Sequence, residues 1–165
     1  MTTRERAKPK KAFLFNEQLA KGERGEHFFL HHYHSPIIKY RWHTADFIDW
    51  EGSKIELKTD FYSLQDTEFM FMERYSDVDK RKPGGPWQSH KNGVDKFVYL
   101  FIRDGVYFEF ENMEKLLARL KKLTDKAPMV YIKNPTYRAG GYKVRIADLE
   151  DICHRHRLYW SLDEV

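Results

Sequence analysis

The sequence predicts an α/β fold: a mixed central β-sheet of about five or six strands, flanked by helices, in one domain. Three observations carry the prediction. A helical pattern over residues 16–33 leads into a hairpin pattern over residues 44–60. A continuous apolar run, Phe97-Val98-Tyr99-Leu100-Phe101-Ile102, reads as a central strand buried on both faces. An amphipathic helix over residues 113–123 follows, with Leu116, Leu117 and Leu120 on one face and basic residues on the other. At 165 residues, 41% hydrophobic and 16% aromatic, the chain is long enough to bury a sizeable core.

Each element has a local cause. Residues 1–11 are polar and basic and read as a mobile arm ahead of a folded domain at 12–165. Asn16 is the expected N-cap of the first helix, whose apolar face holds Leu19, Phe28, Phe29, Leu30 and Tyr33. Gly22 and Gly25 each cost a helix about 1 kcal/mol relative to alanine, so something other than propensity favours them. Residues 37–42 read as a strand leading into the hairpin. Residues 67–75 read as another, with Phe69, Phe71 and Glu73 on one face. Residues 76–93 are rich in loop formers, with a short helix expected over 87–92 behind Pro86. Arg103-Asp104-Gly105 signals a turn into a returning strand at 106–110, and Asn112 caps the helix that follows. Residues 127–133 and 142–146 read as strands separated by a loop at 134–141. A last helix is expected from Ile146 to about Arg157.

Composition narrows the function. Lys plus Arg outnumber Asp plus Glu by 29 to 25, a net charge of +4 that permits a nucleic-acid partner without requiring one. The single cysteine, Cys153, excludes an internal disulfide framework and a multi-cysteine zinc site, and reads as a small apolar residue on the last helix. No apolar run approaches the ~20 residues of a membrane span, and no signal-peptide core follows the basic start. A soluble, cytoplasmic protein is expected. His27 and His31 are four apart, but Phe28 stands where the zinc-protease pattern needs glutamate. They, His32, His34 and His43 read as interface or surface residues, as do His154 and His156, with phosphate contact open for the last two.

The hairpin carries the chemistry. A three-residue loop, Trp50-Glu51-Gly52, with Gly52 in the left-handed conformation, sets Asp49 opposite Ser53 and Asp46 opposite Glu56. Ala45 and Phe47 then face Leu57 and Ile55, while Asp46, Glu56 and Lys58 share the other face. Facing carboxylates repel unless a cation lies between them, and Mg²⁺ takes such hard oxygens. A lysine one strand repeat away can hold the attacking water. A solvated hairpin with a Glu/Lys ion-pair face shows the same residues.

Asp46 followed by Glu56-Leu57-Lys58 resembles the signature of the PD-(D/E)xK nuclease superfamily. Two further stretches add to the resemblance. Gly22-Glu23-Arg24-Gly25-Glu26 is similar to the superfamily's first-helix motif, with Glu26 favoured over Glu23 as its acid. The strand glutamate Glu73, the basic loop, Gly84-Gly85-Pro86-Trp87-Gln88-Ser89 and the strand after them resemble small phage-encoded members. The resemblance covers roughly residues 13–111 and implies a restriction-endonuclease-like core. It further implies a Mg²⁺-dependent DNA endonuclease, with Mn²⁺ able to substitute, in which Asp46, Glu56 and Glu26 bind the metal and Lys58 completes the catalytic set. It implies branched DNA, as for Holliday junction resolvases, and a homodimer. Lys80, Arg81, Lys82, Trp87, Gln88, Lys133, Arg138 and Lys143 are the expected DNA contacts. Glu73 reads either as an additional carboxylate or as half of a surface ion pair. The alternatives are a nicking, recombination or restriction-type nuclease on duplex or single-stranded DNA, a non-cleaving DNA-binding protein on the same scaffold, and an interaction protein.

Overall fold

The computed structural model describes residues 10–158, with side chains from residue 20 onward. Among the described residues the fold is α/β, with two sheets and three helices. In chain order the elements are α1 (Lys10–His32), β1 (Ile37–Lys39), β2 (Phe47–Asp49), β3 (Lys54–Asp60), β4 (Phe69–Asp77), β5 (Lys82–Pro83) and α2 (Gly85–Lys91). Then come β6 (Lys96–Phe101), β7 (Val106–Phe110), α3 (Met113–Thr124), β8 (Val130–Lys133), β9 (Arg138–Arg145), two 3₁₀ turns (Ile146–Asp148 and Glu150–Ile152) and β10 (His154–Arg157).

The larger sheet runs β1-β2-β3-β6-β7-β10 and is mixed: β3 and β6 are parallel and every other pair is antiparallel. A parallel pair needs a long crossover; here it contains β4, β5 and α2. β4 therefore leaves the central sheet and joins an antiparallel four-stranded sheet, β5-β4-β9-β8. Both faces of the larger sheet are covered. Phe28 and Phe29 of α1, with Tyr33 just beyond its end, pack on Phe47, Ile55, Val98, Leu100 and Tyr107. The opposite face buries Phe97, Tyr99, Phe101 and Phe108 against Met70, Met72 and Val144 of the second sheet and Leu116 and Leu120 of α3. Tyr99 ties the layers together, accepting the Phe71 N–H at 3.0 Å and donating to Asp60 Oδ2 at 2.6 Å.

The hairpin has the register expected from its apolar pattern. Phe47 pairs with Ile55 and Ile48 with Lys54, which places Asp46 opposite Glu56. Gly52 is left-handed at φ 83°, and Asp49 Oδ1 accepts the N–H groups of Glu51 and Ser53 at 2.9 Å each. Asn112 caps α3 as expected, its Oδ1 accepting from Lys115 N at 3.0 Å.

Four expectations are corrected. α1 begins at Lys10, so Asn16 lies inside the helix, and only residues 1–9 of the expected arm fall outside the described residues. The single sheet is two. The expected loop over 134–141 is half strand, because β9 begins at Arg138 and runs through Gly140 and Gly141. A Cβ on Gly141 would lie 2.4 Å from the Met72 carbonyl oxygen of β4, and one on Gly140 2.7 Å from Met129 Sδ, so these glycines serve close packing, not a turn. The expected last helix is two 3₁₀ turns and strand β10, which pairs with β7. Cys153 accordingly sits half-buried ahead of β10 rather than on a helix. Among the described residues, no helix is long and apolar enough to cross a membrane.

Candidate functional site

The site grows from the point where β2 and β3 separate. Asp46 N–H donates to the Ile55 carbonyl at 3.0 Å, and Asp46 Oδ2 accepts the Leu57 N–H at 2.8 Å. The side chain thus stands in for a strand partner at the end of the ladder. Alternation along β3 sends Ile55 and Leu57 toward α1 and leaves Glu56 and Lys58 on the other face. Asp46 and Glu56, half-buried and facing one another, both hold their protons more tightly than ordinary carboxyls. Burial pushes Asp46 up to about 6, with the Glu26 charge adding to it, while the Leu57 N–H and Lys39 act against it. Burial, then the charges of Asp46 and Glu26, push Glu56 up to about 8. A facing pair with this electrostatic strain is short of positive charge.

Glu26 reaches the same cleft from α1. Together with Asp46, Glu56, Lys39 and the β1–β2 connection from Tyr40 to His43, it lines a volume of about 310 Å³. Gly25, the residue before it, explains how the helix gets there: a Cβ on Gly25 would sit 1.9 Å from Thr59 Oγ1, so α1 crosses β3 at a distance only glycine allows. Glu26 Oε2 takes a charge-assisted bond from Lys39 Nζ at 2.7 Å, which holds the lysine in its charged form. Glu23 is exposed and does not line the cleft. Lys39, Tyr40, Arg41 and Trp42 are the site residues that the sequence pattern did not single out. A basic and aromatic cluster beside a strand end was the available signal, and Trp42 is 63% exposed.

Lys58 is exposed, two residues beyond Glu56 on the same strand face. Its nearest consequence is on Glu73 of β4: burial raises the proton affinity of Glu73 and the Lys58 cation lowers it. Glu73 is therefore beside the catalytic candidates and not a remote surface acid. The Gly84-Gly85 pair has a packing role here. A Cβ on Gly84 would lie 2.3 Å from Glu73 Oε1, and one on Gly85 2.5 Å from the Glu73 carbonyl oxygen.

The eight expected DNA contacts divide. Lys80, Arg81 and Lys82 are exposed around the β4–β5 turn, and Lys133 and Lys143 are exposed on the second sheet. Arg138 is exposed but pairs with Asp79 at 3.0 Å and stacks over Tyr131. Trp87 and Gln88 are engaged within the fold. Trp87 packs on the main core beneath the Arg74 guanidinium, 5.0 Å from its ring centre, and Gln88 Nε2 donates to Asn92 Oδ1 at 2.8 Å.

A second cluster lies near the C-terminal end of α1. Glu109, fully buried on β7, receives the Tyr33 hydroxyl at 2.5 Å and lies 3.3 Å from His34 Nε2 through both of its oxygens. His156 of β10 stacks on His34, ring centres 4.7 Å apart, and on Tyr107. His34 and His156, expected to be interface or surface residues, thus meet around a buried carboxylate. Among the described residues, these three form the one group of His, Cys, Asp or Glu whose ligand atoms all lie within 4.8 Å of one another. Glu26, Asp46 and Glu56 share a cleft without that convergence, Glu26 being turned toward Lys39. No protein-family model, curated protein or solved structure matches the chain.

Proposed function

We propose that the protein is a Mg²⁺-dependent DNA endonuclease with its reaction centre at Asp46, Glu56 and Lys58. The observation that supports this most is the facing pair: Asp46 opposite Glu56 in the hairpin, both with raised proton affinity, with Glu26 in the same cleft and Lys58 on the same strand face. Hard carboxylate oxygens short of countercharge suit Mg²⁺, which accepts one or two carboxylates and keeps several waters. Asp46 and Glu56 would hold the ion and Glu26 would supply a third carboxylate. When bound, Mg²⁺ contributes Lewis-acid polarisation of the phosphate and a more acidic water.

The chain's own groups do the rest. Asp46, fixed by the Leu57 N–H, keeps its carboxylate aimed along the strand end. The Lys58 ammonium hydrogen-bonds the attacking water and offsets the negative charge that develops on the phosphate. Glu73 steadies that ammonium beside Glu56. Arg41 and Trp42 at the rim of the cleft meet a phosphate and a base face. The exposed Lys80-Arg81-Lys82 turn, Lys133 and Lys143 extend the contact to flanking phosphates. With a reaction centre this small and open, branched DNA acted on by a homodimer is the substrate class we favour, in a restriction-endonuclease-like core.

The test incubates wild type, Lys58→Ala and Glu56→Gln with labelled four-way junction, flap, linear duplex and single strand, with Mg²⁺, Mn²⁺ or EDTA. Metal-dependent cleavage of the junction is expected, reduced at least about 100-fold in both variants. Preference for another substrate replaces the resolvase assignment with another nuclease class. Binding without cleavage in either metal overturns the catalytic reading and leaves a DNA-binding protein.

A further inference from the structure

We propose that His34, Glu109 and His156 form a second metal site, selective for a transition-metal ion of the Zn²⁺ class, which clips the end of α1 and strand β10 to β7. The three residues come from distant parts of the chain, His34 from the connection after α1, Glu109 from β7 and His156 from β10, yet their ligand atoms converge within 4.8 Å. The 3.3 Å between His34 Nε2 and each Glu109 oxygen is the spacing of a metal site as well as of a polar contact. With metal–ligand bonds of ~2.0–2.1 Å, the edge of a tetrahedron is ~3.3 Å. The ion would enter between these groups, replacing their mutual contact with bonds to itself.

The donor set decides the class of ion. Two imidazole nitrogens and one carboxylate suit Zn²⁺ and its neighbours, whereas Mg²⁺ and Ca²⁺ take oxygens. The surroundings are those of a held ligand set. Tyr33 fixes the Glu109 carboxylate through its hydroxyl, and Tyr107 does two things: its oxygen accepts the His34 backbone N–H at 3.3 Å, and its ring stacks on His156. Such outer partners orient ligands and raise affinity. Glu109 is sealed at 0% exposure, while the His34 side chain is 38% exposed, which leaves an entry path and a fourth position for water. The fold has use for a clip at this place. Among the described residues, β10 is an edge strand of sequence His-Arg-His-Arg, paired only with β7 and with no apolar side chain of its own to anchor it.

The proposal does not depend on the nuclease reading, and its test does not use cleavage. Tag-free full-length protein is stripped with a chelator and returned to buffer containing millimolar Mg²⁺, which occupies hard-oxygen sites. It is then titrated with Zn²⁺ against a chromophoric chelator, and with Co²⁺ by visible absorption. One Zn²⁺ per chain with Kd below about 1 µM is expected. The Co²⁺ spectrum should be that of a four-coordinate ion, and saturating Zn²⁺ should raise Tm. His34→Ala and His156→Ala should each weaken Zn²⁺ binding at least about 100-fold, more than loss of an outer partner does. His154→Ala, on the same strand but outside the cluster, should leave it unchanged. Should His156→Ala fail to fold, the exposed His34→Ala carries the test alone. The absence of saturable Zn²⁺ binding leaves only a hydrogen-bonded cluster and overturns the proposal. So does wild-type affinity in His34→Ala, which assigns the zinc to other histidines.

Discussion

The Asp46 carboxylate accepts the Leu57 N–H at 2.8 Å while facing Glu56, so its hydrogen bond stabilises the hairpin and its charge destabilises it. Two substitutions separate the effects. Asp46→Asn keeps an acceptor for Leu57 and removes the charge that raises the proton affinity of Glu56. Asp46→Ala removes both and leaves a partly buried N–H without that partner, at a cost of about 1 kcal/mol. In metal-free buffer at pH 8, Asp46→Asn should be at least as stable as wild type and Asp46→Ala about 1 kcal/mol less stable than Asp46→Asn. Urea unfolding measures the difference; equal stability of the two variants would show that the side-chain bond to Leu57 contributes nothing. On the proposed nuclease reading, both variants should also lack Mg²⁺-dependent cleavage. A site residue whose removal of charge stabilises the fold is what a functional carboxylate pair predicts.

At the scale of elements, the two glycines of α1 give opposite predictions from similar sequence. Nothing lies within 4 Å of a Cβ built on Gly22, whereas one on Gly25 would collide with Thr59, its Oγ1 at 1.9 Å and Cβ at 2.7 Å. Gly22→Ala should therefore stabilise the protein by up to about 1 kcal/mol through helix propensity, and Gly25→Ala should destabilise it by about 1–3 kcal/mol through overpacking. Thermal unfolding of both variants checks the pair, and a stabilising Gly25→Ala would show that α1 does not cross β3 this closely. Both glycines read the same in the sequence, because what separates them is a strand more than thirty residues away. The hairpin was legible for the converse reason: its alternation of Ala45 and Phe47 with Leu57 and Ile55 has one register that keeps the apolar residues together. Where partners are distant and the pattern is weak, local reading fails. β10 has no apolar residue to announce a strand, and its pairing with β7 decides its conformation. Gly140 and Gly141 look like a turn until Met129 and β4 are seen to lie against them. His34 and His156 become a cluster only when both ends of the chain have been placed around Glu109.

For the whole molecule, the carboxyl pair makes stability depend on pH with a definite sign. Asp46 and Glu56 are raised from 3.8 and 4.5 in the unfolded chain to about 6 and about 8 in the fold. The folded protein therefore binds more protons across this range, so unfolding free energy falls as pH rises. The pair's favourable contribution is fully present below the unfolded pKa values and is lost as pH rises through 6 and then 8. Glu73, raised by burial, adds to the same trend. Asp49 and Glu109 are held low despite burial, by backbone N–H groups and Lys96 at Asp49 and by Tyr33 and His34 at Glu109. They act in the opposite direction, but from more acid pH, since their unfolded pKa values are 3.8 and 4.5. Burial also lowers His156 below 6.5, which favours the fold as pH rises past its titration. The informative quantity is therefore the difference between wild type and Glu56→Gln, in which Asp49, Glu109 and His156 cancel. In EDTA that difference in Tm should move against wild type as pH rises from 6 to 8, the interval between the two raised values. On the proposed nuclease reading Mg²⁺ would bind the deprotonated pair and reverse the trend, raising wild-type Tm more at pH 8 than at pH 6 and leaving Glu56→Gln nearly unaffected. A difference that stays flat across this range in EDTA would remove the electrostatic strain from the account of the site. An equal Mg²⁺ response in the variant would place the ion elsewhere on the protein.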